Sequence, residues 1–256
     1  MERPDSDDRR KVKRKSADPR IKARAEQLAA SGMPMPTAMA VAHGKVSLNE
    51  ALEHLARRDS VTRLMEKHDL SRALATQIAL GQAALDTVLS RRRLQEHREK
   101  FRERSIIDDY AQSAQPVSLL LHAHRRVSGT IELADTYLIR FKAEDGNVED
   151  FHKLQVKLAF APDAYKRVRK VLKYDKELEN KLLSPISRPQ DRYSCSDKRL
   201  FRYLDESTEI QVTLLEGELL RGTVAWFSRY EFGLKLKGDT DVVVFRHALH
   251  DLREVD

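Results

Sequence analysis

Between residues 209 and 252 the apolar positions alternate with polar ones on a period of two. Ile210, Val212 and Leu214 are separated by Gln211 and Thr213, the pattern of a strand with one face buried. Glu216-Gly217 then turns the chain, and Gly222 interrupts the second run where a glycine lets a strand bend or approach a neighbour closely. Phe232, Leu234 and Leu236 resume the alternation, Lys237-Gly238-Asp239 turns again, and Val242-Val243-Val244-Phe245 is a β-branched run closely followed by Ala248, Leu249 and Leu252. Five short strands with tight turns in about 45 residues predict a small, bent, barrel-like sheet. The pattern recurs 93 residues upstream, where Val117, Leu119, Leu121, Gly129, Thr130 and Tyr137 fall on Ile210, Val212, Leu214, Gly222, Thr223 and Tyr230. One spacing kept over so many positions argues for a duplicated unit. The two sheets are expected over residues 105–160 and 197–256.

The first part of the chain has a helical period instead. With an offset of 37, Ala42, Gly44, Leu48 and Leu52 fall on Ala79, Gly81, Leu85 and Leu89, so a helix, a Gly-stopped turn and a second helix occur twice. This predicts two αα-hairpin repeats within a helical domain over 25–104, with Ser47 and either Asp59 or Ser60 as N-caps. Residues 91–104 are Arg-rich and read as an exposed helix. Ile106, Ile107 and Tyr110, and later Leu200, Phe201 and Leu204, predict a short helix before each sheet. Residues 161–196 read as a helical linker and loop, with one helix over 163–183 between Pro162 and Pro185. Residues 1–24, with Arg9-Arg10-Lys11 and Lys13-Arg14-Lys15, are expected to be a disordered basic tail.

Composition narrows the function. A net charge of +7 and a pI near 9.4 favour an anionic partner, nucleic acid ahead of a membrane surface. A single cysteine, Cys195, excludes an internal disulfide and a cysteine-rich metal site. No apolar run is long enough to span a membrane and no leader-like segment opens the chain, so the expected location is cytoplasmic. No zinc-protease, phosphate-loop or nucleophile-elbow motif occurs. The chain is therefore expected not to be an enzyme, with no catalytic residue, metal ligand or cofactor.

Gly222, Phe227-Ser228-Arg229-Tyr230 and Phe245-Arg246-His247-Ala248 resemble, in order and approximate spacing, the two motifs of the bacterial Hfq branch of the Sm-like family. That branch reads Phe-Asp-x-Phe after a bent Gly strand and Tyr-Lys-His-Ala before the last strand. Upstream, Asp135-Thr136-Tyr137 corresponds to the first motif, and Phe151-His152-Lys153 sits where Phe245-Arg246-His247 would. The resemblance implies an α+β fold with two SH3-like, five-stranded Sm-like barrels, each preceded by a helix. It also implies binding of uridine-rich single-stranded RNA without catalysis, in post-transcriptional regulation of the RNA-chaperone kind. By position the RNA-binding residues are Asp135, Thr136, Tyr137, His152 and Lys153 in the first copy, and Arg229, Tyr230, Arg246 and His247 in the second.

Single strands need a π-face for the base and positive charge for the phosphate. Tyr137 and Tyr230 would supply the first, and Lys153, Arg229 and Arg246 the second. Core packing is the competing role for each tyrosine. Where family members carry an Arg-rich patch this chain has Asp108-Asp109 and Asp205-Glu206, which does not support RNA annealing. The expected partners are single-stranded RNA and a protein partner for residues 25–104, with no membrane. Head-to-tail barrels, as in the resembling family, imply a homotrimer closing a ring of six. Two alternatives are a protein-interaction scaffold with degenerate barrels and a basic DNA-binding regulator.

Overall fold

The computed structural model describes residues 18–181 and 183–255; the basic segment over 1–17 lies outside them. Two compact units divide after Leu89. The first holds α1 (Pro19–Ala30), α2 (Met35–Ala42), α3 (Leu48–His68), α4 (Arg72–Ala79) and the start of α5 (Leu85–Lys100). The 37-residue spacing holds in space: α4 repeats α2, and α5 begins where a repeat of α3 would. Gly44 and Gly81 follow α2 and α4 with φ of 69° and 70°, the left-handed conformation that a glycine adopts without a Cβ penalty. Ser47 and Glu50 form a capping box at the start of α3.

Two expectations fail here. Residues 19–24 are helical and not tail, because the Asp18 side chain caps Arg20 N–H and Pro19 occupies the first turn, where its missing N–H costs nothing. Asp59 and Ser60 lie inside α3; the cap is Ser71, whose hydroxyl accepts Leu74 N–H. The small cores of this unit centre on Ala25, Ala38 and Ala51 and on Val61, Leu70 and Ala75.

The second unit contains the rest of α5, α6 (Ile106–Ser113), β1 (Val117–Leu121), β2 (Arg126–Ala134), β3 (Leu138–Ala143), β4 (Val148–His152) and β5 (Val156–Phe160). Next come α7 (Tyr165–Val171), β6 (Lys173–Tyr174) and α8 (Lys176–Glu179). The unit ends with α9 (Asp197–Asp205), β7 (Glu209–Leu214), β8 (Glu218–Phe227), β9 (Glu231–Leu236), β10 (Thr240–Phe245) and β11 (Leu249–Glu254). The single helix expected over 163–183 is broken: β6 pairs with β8 at Leu219 and Glu218, and Asp175 caps a new helix.

The class is α+β as expected. In place of two separate barrels, the strands form one antiparallel sheet of eleven: ten run in the order β11-β7-β8-β9-β10-β5-β1-β2-β3-β4, which does not close, and β6 lies off that path, paired with β8. Each half runs in the same internal order, and the halves join where β5 pairs with β10 through Ala159–Val243 and Leu158–Val244. The 93-residue repeat is visible in geometry. Both halves carry a bulge at the same place, between Ile131 and Leu133 and between Val224 and Trp226. Gly129 and Gly222 are pressed so closely on the next strand that a Cβ would stand 2.0 Å from Lys142 O and 2.2 Å from Lys235 O.

The β-branched run of β10 is explained by the junction. Val242 and Val244 face the core of the second half, with Leu200, Ile210 and Phe232. Val243 and Phe245 face that of the first, with Leu119, Ile131 and Phe141. A strand buried on both faces loses its polar alternation. The outer edge strand β4 has Val148, Glu149 and Asp150 exposed, the polar composition that keeps an edge from indiscriminate pairing.

Candidate nucleic-acid interface

Two loops, one per half, follow the bulged strands β2 and β8. In the first, the Asp135 carboxylate accepts the backbone N–H groups of Tyr137 and Leu138, both at 2.7 Å. Those bonds, Leu138 first, hold the Asp135 carboxyl below its ordinary range. Such an Asx turn fixes the loop without tertiary help. Asp135 N–H in turn donates to Leu138 O, and Lys153 N–H to Tyr137 O. The second loop repeats these bonds, Ser228 N–H to Glu231 O at 2.8 Å and Arg246 N–H to Tyr230 O at 2.8 Å.

Matching bonds fix the alignment of the second motif. Lys153 is the counterpart of Arg246, and strand register pairs His152 with Leu138 as Phe245 pairs with Glu231. The alignment read from sequence, with Phe151 on Phe245, is off by one. His247 therefore corresponds to Leu154.

The tyrosines are the most exposed aromatics of the unit, Tyr137 at 65% and Tyr230 at 60%. Neither is packed as core, the competing role for an aromatic at a strand start. Tyr137 lies over the His152 imidazole, centroids 6.0 Å apart at 24°. His152 Nδ1 accepts Leu154 N–H at 3.0 Å, which holds the ring in place. Lys153 Nζ lies 3.4 Å from Asp108, and Thr136 is exposed beside the tyrosine. In the second loop the Arg229 guanidinium stands 5.2 Å from the Tyr230 ring. At that range a cation and a ring attract one another.

Arg246 and His247 have other work. The Arg246 guanidinium donates to Asp197 at 2.9 Å, to Ser228 O at 2.9 Å and to Arg229 O at 3.1 Å. It pins the loop from beneath. His247 Nε2 is 2.8 Å from Val156 O across the junction of the halves, and burial pushes its pKa down to about 4. It is a neutral strut at neutral pH.

The C-terminal half of α5 packs against the second half of the sheet at its loop, which the sequence did not disclose. Arg98 pairs with Asp197 at 2.9 Å, Arg93 with Asp205 at 2.7 Å, and the His97 ring packs on Phe227 at 4.1 Å. Arg98, Phe101, Arg102, Arg229, Tyr230 and Arg246 thereby line a cavity of about 460 Å³ together with Asp197 and Glu103, within the size range of small-ligand pockets. The Arg-rich composition of 91–104 was the available signal. Its position over a loop more than a hundred residues away was not.

No family model matches this chain, and no curated protein matches it. A crystal structure of Hfq, described as a pleiotropic translational regulator, is similar at 24% identity over 22% of this chain and 93% of that one, with a TM-score of 0.22. Among the described residues no helix is long and apolar enough to cross a membrane.

Proposed function

We propose that this chain is a non-catalytic RNA-binding protein whose two sheet halves are Sm-like units, each binding single-stranded, uridine-rich RNA at its tyrosine loop. The observation that carries the reading is the repetition of one exposed tyrosine, on one hydrogen-bonded turn, beside a cationic side chain in each half. A stacked base needs an aromatic face open to solvent, and its phosphate needs a nearby cation. Tyr137 with His152 and Lys153, and Tyr230 with Arg229 and Arg102, meet both needs. The excess of positive charge supports the same reading through release of counterions from the nucleic acid.

Assembly into a trimeric ring of six Sm-like units is part of this proposal. The β5–β10 pairing supplies a head-to-tail contact inside the chain, and β4 and β11 are the edge strands of the same two kinds left at the ends of the sheet. A head-to-tail contact repeats until rotation closes it. The test is fluorescence anisotropy of a labelled uridine-rich oligoribonucleotide with the wild type and with Tyr137→Ala/Tyr230→Ala, a duplex DNA of equal charge as competitor. Weakened binding in a variant with unchanged circular dichroism supports the reading. Equal affinity of both proteins, or equal competition by duplex DNA, refutes it.

A further inference from the structure

Where the β1–β2 turn of the first half meets the β7–β8 turn of the second, five ionisable side chains converge: His122, His124, Lys157, Glu216 and Glu218. Lys157 is fully buried, and its ammonium contacts Glu216 Oε2 and Glu218 Oε1. One ammonium against two carboxylates leaves a negative charge uncompensated in a place shielded from water, which is costly. Two groups also lack partners. Glu218 is fully buried and its Oε2 has no hydrogen bond. The His122 side chain is 10% exposed, and Nδ1, 3.6 Å from Glu216 Oε1, is unbonded, as is Nε2. His124 Nδ1 completes the group, 3.3 Å from Glu218 Oε1.

The turn that presents both imidazoles is strained. Ala123 and His124 have φ of 58° and 51°, a conformation that costs a residue with a Cβ energy and persists only where its surroundings impose it. The imposing group is the Glu216 carboxylate, which accepts Ala123 N–H at 2.7 Å and His124 N–H at 3.4 Å. Burial works to raise the Glu216 pKa, but Lys157 and these amides outweigh it and keep the carboxyl below its ordinary range.

We propose that His122, His124, Glu216 and Glu218 bind a first-row divalent transition metal of the zinc type, fastening the two halves together. One ligand atom each from His124, Glu216 and Glu218 lie within 4.8 Å of one another, and imidazole with carboxylate is a donor set for such an ion, with too few oxygens for calcium. Lys157 keeps the carboxylate oxygens it already holds, while the metal takes the orphaned lone pairs. The charges of Lys157 and a divalent ion then balance Glu216, Glu218 and Glu179, whose Oε1 is 3.8 Å from His124 Nε2.

The full chain, freed of metal with a chelator, is titrated with Co(II) followed by visible absorption, and with Zn(II) followed by calorimetry and thermal denaturation. The expected result is one ion per chain, a Tm that rises with zinc, and a loss of affinity of more than about tenfold in both His124→Ala and His122→Ala. His124 is part-exposed, so its variant folds even if the buried position does not tolerate change. Absence of binding overturns the proposal, as does affinity unchanged in both variants. A Tm that responds to neither metal also overturns it.

Discussion

Glu231→Gln offers a quantitative test of the packing between α6 and the second half of the sheet. Glu231 is 2% exposed, and its Oε1 accepts Ile106 N–H at 2.6 Å at the start of α6. Burial pushes its pKa up to about 7, the Ile106 bond works against that, and Asp109 adds to it. The folded protein therefore holds this proton more tightly than the unfolded chain, whose value is near 4.5. The associated stability is fully present below the unfolded pKa and is lost as pH rises to 7. At about 1.4 kcal/mol for each pKa unit, the ionised carboxylate lowers stability by about 3 kcal/mol above pH 7.

Glutamine keeps the acceptor and removes the charge, so the variant gains about 3 kcal/mol at pH 8 and almost nothing at pH 4. His247 acts in the opposite sense. Its folded pKa of about 4 lies below the ordinary 6.5, so its contribution is fully present above 6.5 and lost as pH falls towards 4. The two slopes oppose each other in the wild type, and the variant unmasks the His247 slope. Urea denaturation at a series of pH values, with m checked for constancy, measures both. A gain at pH 8 smaller than about 0.5 kcal/mol, or one that is the same at pH 4, refutes the reasoning.

Tyr137→Ala and Tyr230→Ala each weaken RNA binding by about 1–3 kcal/mol per stacked base with no change in Tm, measured by anisotropy and calorimetric melting. The logarithm of RNA affinity falls with the logarithm of salt at about −0.7 per contacted phosphate; a flat response removes the electrostatic part of the proposal. Gly129→Ala and Gly222→Ala each destabilise by about 1–3 kcal/mol or more, because the added methyl meets a backbone carbonyl that belongs to the adjacent strand; denaturant midpoints read this. Lys157→Met leaves two carboxylates buried without their ammonium and costs about 3–5 kcal/mol, again by denaturation.

Strand alternation, the two glycine bends and both tyrosines were legible in the sequence because each depends on neighbours a few positions away. The offsets of 37 and 93 residues carried that local information from one copy to the other. In the sheet, what failed depended on distant contacts. Val242-Val243-Val244-Phe245 was legible as a β-branched run, but nothing local reports that β5 lies against it. Arg246 looked like a phosphate ligand, yet its guanidinium is consumed by Asp197 and two loop carbonyls. Lys157, Glu216 and the two histidines are far apart in sequence and have no spacing that announces a cluster. The one-residue error at His152 arose because Phe151 and Phe245 are alike to the eye, while the pairing of β3 with β4 and of β9 with β10 sets the true register.

The unequal surroundings of Tyr137 and Tyr230 change how this molecule can diversify. Identical subunits share every substitution, so improving one position alters all of them together. Here α5 stands over Tyr230, whereas Tyr137 shares its loop with His152 and lies near Asp108 through Lys153. A change at Arg102 reaches one loop only, and a change at His152 reaches only the other. A duplicated fold written into one chain can thus keep one surface for an old ligand while the other acquires a new preference, a division of labour closed to a symmetric homo-oligomer.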